Sequence, residues 1–95
     1  MIKYLEKENL DELLSDGITL VDFYADWCGP CKMQGEVLKD FQTLDVLKVD
    51  VDKYPNIAKA YGIMSIPTIM LFENGNVLRS NVGFMNIGDL ENFVK

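Results

Sequence analysis

From Ile18 to Tyr24 the chain is almost continuously apolar, with Asp22 as its one charge. A run of that density predicts a central strand buried on both faces. Before it, Asn9-Leu10-Asp11-Glu12 has the form of a capping box, and Leu10, Leu13 and Leu14 follow at helical spacing until Asp16-Gly17 supplies a stop. This predicts a short amphipathic first helix. From Pro30 to about Phe41 the pattern is again helical, with Pro30 suited to the first turn because its missing N–H would have no partner there. Val46 to Val51 alternates as a strand does, and Ile57 to Tyr61 reads as a short helix closed by Gly62.

Thr68 to Glu73 and Asn76 to Val82, joined by Asn74-Gly75, carry the strongest hairpin signal, since a two-residue type I′ turn needs positive φ at both positions. Asn86 to Asp89 can cap a last helix through Phe93 and Val94. The order of elements predicts an α/β fold. A mixed central β-sheet has a parallel β-α-β part and an antiparallel β-hairpin, with helices on both faces.

At 95 residues and 48% hydrophobic content, the chain is expected to form a single domain, residues 1–95, with one core. The net charge of −6, with basic residues scattered singly, gives no footprint for a phosphate backbone, which argues against nucleic acid as a partner. No apolar stretch approaches a membrane span, and Met1 to Glu8 lacks the apolar segment of a secretory signal. A cytoplasmic location away from membranes is expected. Two cysteines are too few for a disulfide framework, and with no histidine they cannot complete a structural zinc site, so no metal is expected.

The chemistry lies in those two cysteines. Cys28-Gly29-Pro30-Cys31 follows the central strand and opens the helix, so the sulfurs share a face and can join without large backbone movement. The positive end of the helix dipole favours a thiolate at Cys28, the expected nucleophile. Cys31, one turn further in and better shielded, is expected to resolve the mixed disulfide. Pro30 offers no N–H to the sulfur and no histidine is present to stabilise the thiolate, which points to a reductant.

Burying an unpaired Asp22 carboxylate would cost on the order of several kcal/mol, and a role in proton handling explains its presence. Desolvation would raise its pKa so that it accepts the proton of Cys31, with Lys48 on the neighbouring strand tempering the charge. The plain alternative is a residue facing solvent at the sheet edge. No bound cofactor is needed, because the Cys28–Cys31 pair itself carries two electrons. A binding module with incidental redox chemistry is the rival reading, and the intact cysteine pair speaks against it.

The run Val21-Asp22-Phe23-Tyr24-Ala25-Asp26-Trp27-Cys28-Gly29-Pro30-Cys31-Lys32-Met33 is followed by Val49-Asp50-Val51-Asp52, Tyr61-Gly62-Ile63, Ile66-Pro67-Thr68, Phe72-Glu73-Asn74-Gly75 and Val82-Gly83. Together these resemble the thioredoxin family from about residue 18 to the end. The resemblance implies the thioredoxin fold, in the order β-α-β-α-β-α-β-β-α, and protein-disulfide reductase activity. It implies that Pro67 is a cis proline beside the disulfide. Trp27, Ile66 and Gly83 would border a shallow apolar groove for an extended substrate, with Gly29 and Pro30 also in contact with it. Disulfide-containing target proteins and a thioredoxin reductase as electron donor are the implied partners, and the protein is expected to be a monomer.

Several positions depart from that pattern. Tyr24 stands where many members have tryptophan, and Gly35-Glu36 where a proline commonly kinks the long helix. The segment from Gly35 to Val46 is shorter than usual, and the amino-terminal strand is reduced to about Ile2 to Leu5. Among Met33, Met64, Met70 and Met85, core filling is the common use, and Met64, close to Pro67, is the one expected to reach the groove.

Overall fold

The strand that contains Asp22 lies in the middle of the sheet. The computed structural model describes residues Met1–Lys95. In chain order the elements are β1 (Ile2–Tyr4), α1 (Leu10–Leu14), β2 (Ile18–Tyr24), α2 (Gly29–Lys39), β3 (Asp45–Asp50), α3 (Pro55–Ala60), β4 (Thr68–Glu73), β5 (Asn76–Val82) and α4 (Ile87–Phe93). The sheet order is β1-β3-β2-β4-β5. β1 and β2 both pair in parallel with β3, whereas β4 runs antiparallel to β2 and β5. The mixed sheet predicted from the pattern is therefore present.

Period-two alternation on β2 sends Val21 and Phe23 to one face and Leu20 and Asp22 to the other. On the first face, Val21, Phe23, Leu47, Val49 and Phe72 pack with Leu10 and Leu14 of α1 and with Ile57 of α3. On the second, Leu20, Val46, Ile69 and Leu71 pack with Leu38 of α2 and Leu90 of α4. Helices thus cover both faces, and β2 is buried from Leu20 through Phe23 for the reason its composition suggested, while Ile18 at its start is exposed.

Some boundaries move. Asn9 makes no side-chain hydrogen bond to α1, so the apparent capping box does not form, and Leu13 turns outward while Leu10 and Leu14 are buried. α2 ends at Lys39 because the chain tightens there. The N–H groups of Asp40 and Phe41 bond to carbonyls three residues back, which swings Phe41 into the core. β3 is buried from Val46 through Val49 despite its alternating sequence, because Lys48 is taken inside. α3 begins at Pro55, two residues before the predicted start.

The hairpin turn has the expected backbone, with φ of 49° at Asn74 and 86° at Gly75. Asn74 also does something the pattern did not show: its N–H donates to the Gly17 carbonyl at 2.8 Å, and its Oδ1 accepts from the Gly17 N–H at 2.8 Å. This ties the hairpin to the start of β2. Gly75→Ala, which forces a Cβ into the left-handed region, is expected to lower stability by about 1 kcal/mol. Urea unfolding measures it; an unchanged midpoint would show that the turn relaxes freely.

Candidate active site

α2 starts where Cys28, in extended conformation, turns the chain into the helix as its N-cap; its Sγ accepts a hydrogen bond from the Cys31 N–H at 3.2 Å. Cys28 and Cys31 are joined by a disulfide, with their Cα atoms 5.2 Å apart. Gly29 and Pro30 lie between them, exposed in the first turn. The two cysteines differ little in exposure, 5% for Cys28 and 2% for Cys31. What separates them is their surroundings.

Cys28 Sγ lies 3.8 Å from the Ile66 carbonyl oxygen, and the Ile66-Pro67 peptide bond is cis, as the resemblance implied. The Pro67 carbonyl accepts the Gly83 N–H at 2.8 Å, so Gly83, at φ 101°, is fastened next to it. Trp27 is 71% exposed, and its indole N–H donates to Asp52 at 2.8 Å, which fixes the ring. A shallow depression of about 160 Å³ runs between Trp27, Ile63, Met64 and Ile66. The structure therefore brings Trp27 and Ile66 together along one apolar edge and attaches Gly83 through Pro67. Met64 is 94% exposed on that edge, whereas Met70 and Met85 are core. Asp52 was not singled out from the sequence, because an acid in an alternating strand-to-turn segment carries no mark of an indole partner.

Cys31 faces another cavity. An opening of about 360 Å³ is lined by Cys31, Gly35, Lys48, Tyr4 and Tyr24, among others. Asp22 stands directly across the β2–β3 ladder from Lys48, and its carboxylate lies 3.6 Å from the Lys48 Nζ. Its position on the middle strand, with no exposed surface, rules out the solvent-facing alternative. Neither carboxylate oxygen has a hydrogen bond; the contact to Lys48 is an ion pair only. Burial pushes the Asp22 pKa up to about 6, with the Lys48 charge pulling in the opposite direction.

Lys48 is held by aromatic faces. Its Nζ lies 4.5 Å from the Tyr24 ring centroid and 5.6 Å from that of Tyr4. Burial, followed by the nearby charges of Asp50 and Asp26, pushes the Tyr24 hydroxyl up to about 12, so this ring stays neutral beside the ammonium group. Above the amine is Gly35, where a Cβ would come within 3.3 Å of Nζ. Glycine at this position thus leaves room for the lysine head.

No group of three or more His, Cys, Asp or Glu side chains is arranged to hold a metal. A Cys-Gly-Pro-Cys disulfide at a helix start, with a buried acid beneath the helix and an apolar edge beside the sulfur, defines a thiol–disulfide oxidoreductase. The thioredoxin family model matches residues 1–95. The chain is 44% identical over 81 residues to a thioredoxin of Staphylococcus haemolyticus, covering 80% of this chain and 78% of that protein. It is 39% identical over 87 residues to a thioredoxin of Chlamydia trachomatis, covering 87% and 85%. Among solved structures, a mutant thioredoxin from Halobacterium salinarum superposes with a TM-score of 0.86 at 34% identity, covering 99% of this chain and 91% of that one. The chain belongs to the thioredoxin family. Members exchange disulfides with target proteins and need no cofactor beyond the redox-active disulfide.

Proposed function

We propose that the protein reduces disulfides in target proteins, with Cys28 as the attacking and Cys31 as the resolving sulfur. The observation that carries this is the difference in surroundings: Cys28 borders the apolar Trp27–Ile66 edge, while Cys31 faces the cavity that also reaches Lys48. The Cys28 thiolate attacks one target sulfur, forms the mixed disulfide and releases the other as a thiolate. Cys31, losing its proton to the Asp22 carboxylate, then attacks Cys28. The Cys28–Cys31 bond forms, the mixed disulfide breaks, and the target leaves with both electrons.

Trp27, Gly29, Pro30, Ile66, Pro67 and Gly83 form the docking edge for an extended segment around the target disulfide. Lys48 balances the Asp22 charge so that the acid takes up and returns a proton near neutral pH. The pair is returned to dithiol by a thioredoxin reductase, and a pair kept reduced in this way suits the cytoplasm, where thiols are maintained. The protein acts as a monomer and a single domain over residues 1–95. No helix is long and apolar enough to cross a membrane.

Equilibration with glutathione tests the direction of transfer. The Cys28–Cys31 disulfide is expected to persist in a buffer in which glutathione is mostly reduced, whereas a pair that becomes fully reduced there would identify an oxidant.

A further inference from the structure

One turn beyond Cys31, on the same buried face of α2, is Gln34, whose side chain has no exposed surface. Its amide engages both polar atoms of one peptide residue in a distant loop. Gln34 Nε2 donates to the Met85 carbonyl at 3.1 Å, and the Met85 N–H donates to Gln34 Oε1 at 2.8 Å. A buried amide paired twice is an anchor, because losing it strands a donor and an acceptor away from water.

The anchored loop connects β5 to α4 and borders the docking edge. At its near end the Gly83 N–H is fastened to Pro67, and the Gly83 carbonyl accepts from Asn81 Nδ2 at 3.2 Å. At its far end Asn86 caps α4, its side chain accepting the Asp89 N–H. Phe84, held between Gly83 and Met85, is 41% exposed. The contacts therefore close a circuit, from Cys31 to Gln34 along α2, across to Met85, back through Gly83 to Pro67 and Ile66, and from the Ile66 carbonyl to Cys28.

We propose that Gln34 is a positioning residue that sets the distance between the cysteine helix and the Gly83–Met85 loop, and thereby fixes one wall of the docking edge for protein substrates. This rests on the reading of Gly83 as part of that edge. Without the anchor, the disulfide chemistry keeps its parts but the wall that orients an extended segment loosens. A protein disulfide needs that wall. A small disulfide reaches Cys28 without it.

The test compares Gln34→Leu with wild type in insulin reduction and in the reaction of the reduced proteins with a small aromatic disulfide. The substitution is expected to raise KM for insulin about tenfold while kcat and the small-disulfide rate stay near wild type. Leu38→Val, a core change on the same helix, controls for lost stability and should leave KM unchanged. Equal KM in Gln34→Leu and wild type, or equal losses on both substrates, would overturn the proposal. So would a KM increase in Leu38→Val matching that of Gln34→Leu. If Gln34→Leu does not fold, amide exchange in the wild type decides: the Met85 N–H should be protected as strongly as the β2 core, and rapid exchange there overturns the anchor. A wild type inactive on insulin but active on the small disulfide would instead remove the docking reading itself.

Discussion

A Cys31→Ser variant should accumulate target proteins as stable mixed disulfides through Cys28, and a Cys28→Ser variant should capture none. Capture needs the sulfur beside Ile66, release needs the sulfur one helical turn away, and serine oxygen cannot replace either in disulfide exchange. Both substitutions should lower dithiothreitol-driven insulin reduction by about 10³-fold or more, the scale on which removing a nucleophile acts. Non-reducing electrophoresis of each variant after exposure to a protein disulfide reads the outcome. Covalent adducts on Cys28→Ser instead of Cys31→Ser would reverse the two assignments, and full activity in either would end the two-sulfur mechanism.

Asp22→Asn should stabilise the fold at pH 7 while slowing resolution. The Asp22 pKa is raised from 3.8 to about 6, so between those values the folded chain holds a proton that the unfolded chain has released. Stability due to this group is therefore full below pH 3.8 and declines as pH rises, with the loss complete above about 6. At roughly 1.4 kcal/mol per pKa unit, the ionised acid weakens the fold by about 3 kcal/mol at neutral pH. Asparagine removes that penalty but leaves the Lys48 charge without its partner, so a net gain of about 2 kcal/mol is expected at pH 7, fading towards pH 4. Resolution of a preformed mixed disulfide should slow about tenfold at pH 7, and the rise in rate through pH 6 should disappear. Urea unfolding across pH and single-turnover kinetics measure the two parts. A variant that is less stable at pH 7 yet resolves at the wild-type rate would take Asp22 out of the mechanism.

Both expectations begin with features legible in the chain. Cys28 and Cys31 are marked by spacing and by the strand before them, and Asp22 by being the one charge in an apolar run. The hairpin was readable because Asn74-Gly75 accepts positive φ at both positions. Beyond the Asp22–Lys48 pair, long-range partners were not readable. Nothing local says that Gln34 faces Met85, that Asp52 meets the Trp27 indole, or that Asn74 reaches Gly17. The pairing of Lys48 with Asp22 was expected, but its depth was not, because a lysine between apolar neighbours looks the same whether its head reaches solvent or is enclosed. The Asn9 box failed for a related reason: the N–H of Asn9 bonds back to Lys7, and the helix it would cap is a single turn held by Leu10 and Leu14.

The three-residue strand β1 sets the amino terminus beside the Asp22–Lys48 pair. Tyr4 lies over Lys48 on the open side of the charge pair, and β1 is joined to the sheet only along β3. Should this edge fray, solvent would reach the acid and lower its proton affinity towards that of an ordinary carboxyl. By reciprocity, a proton on Asp22 would then favour the docked strand and its loss the frayed one.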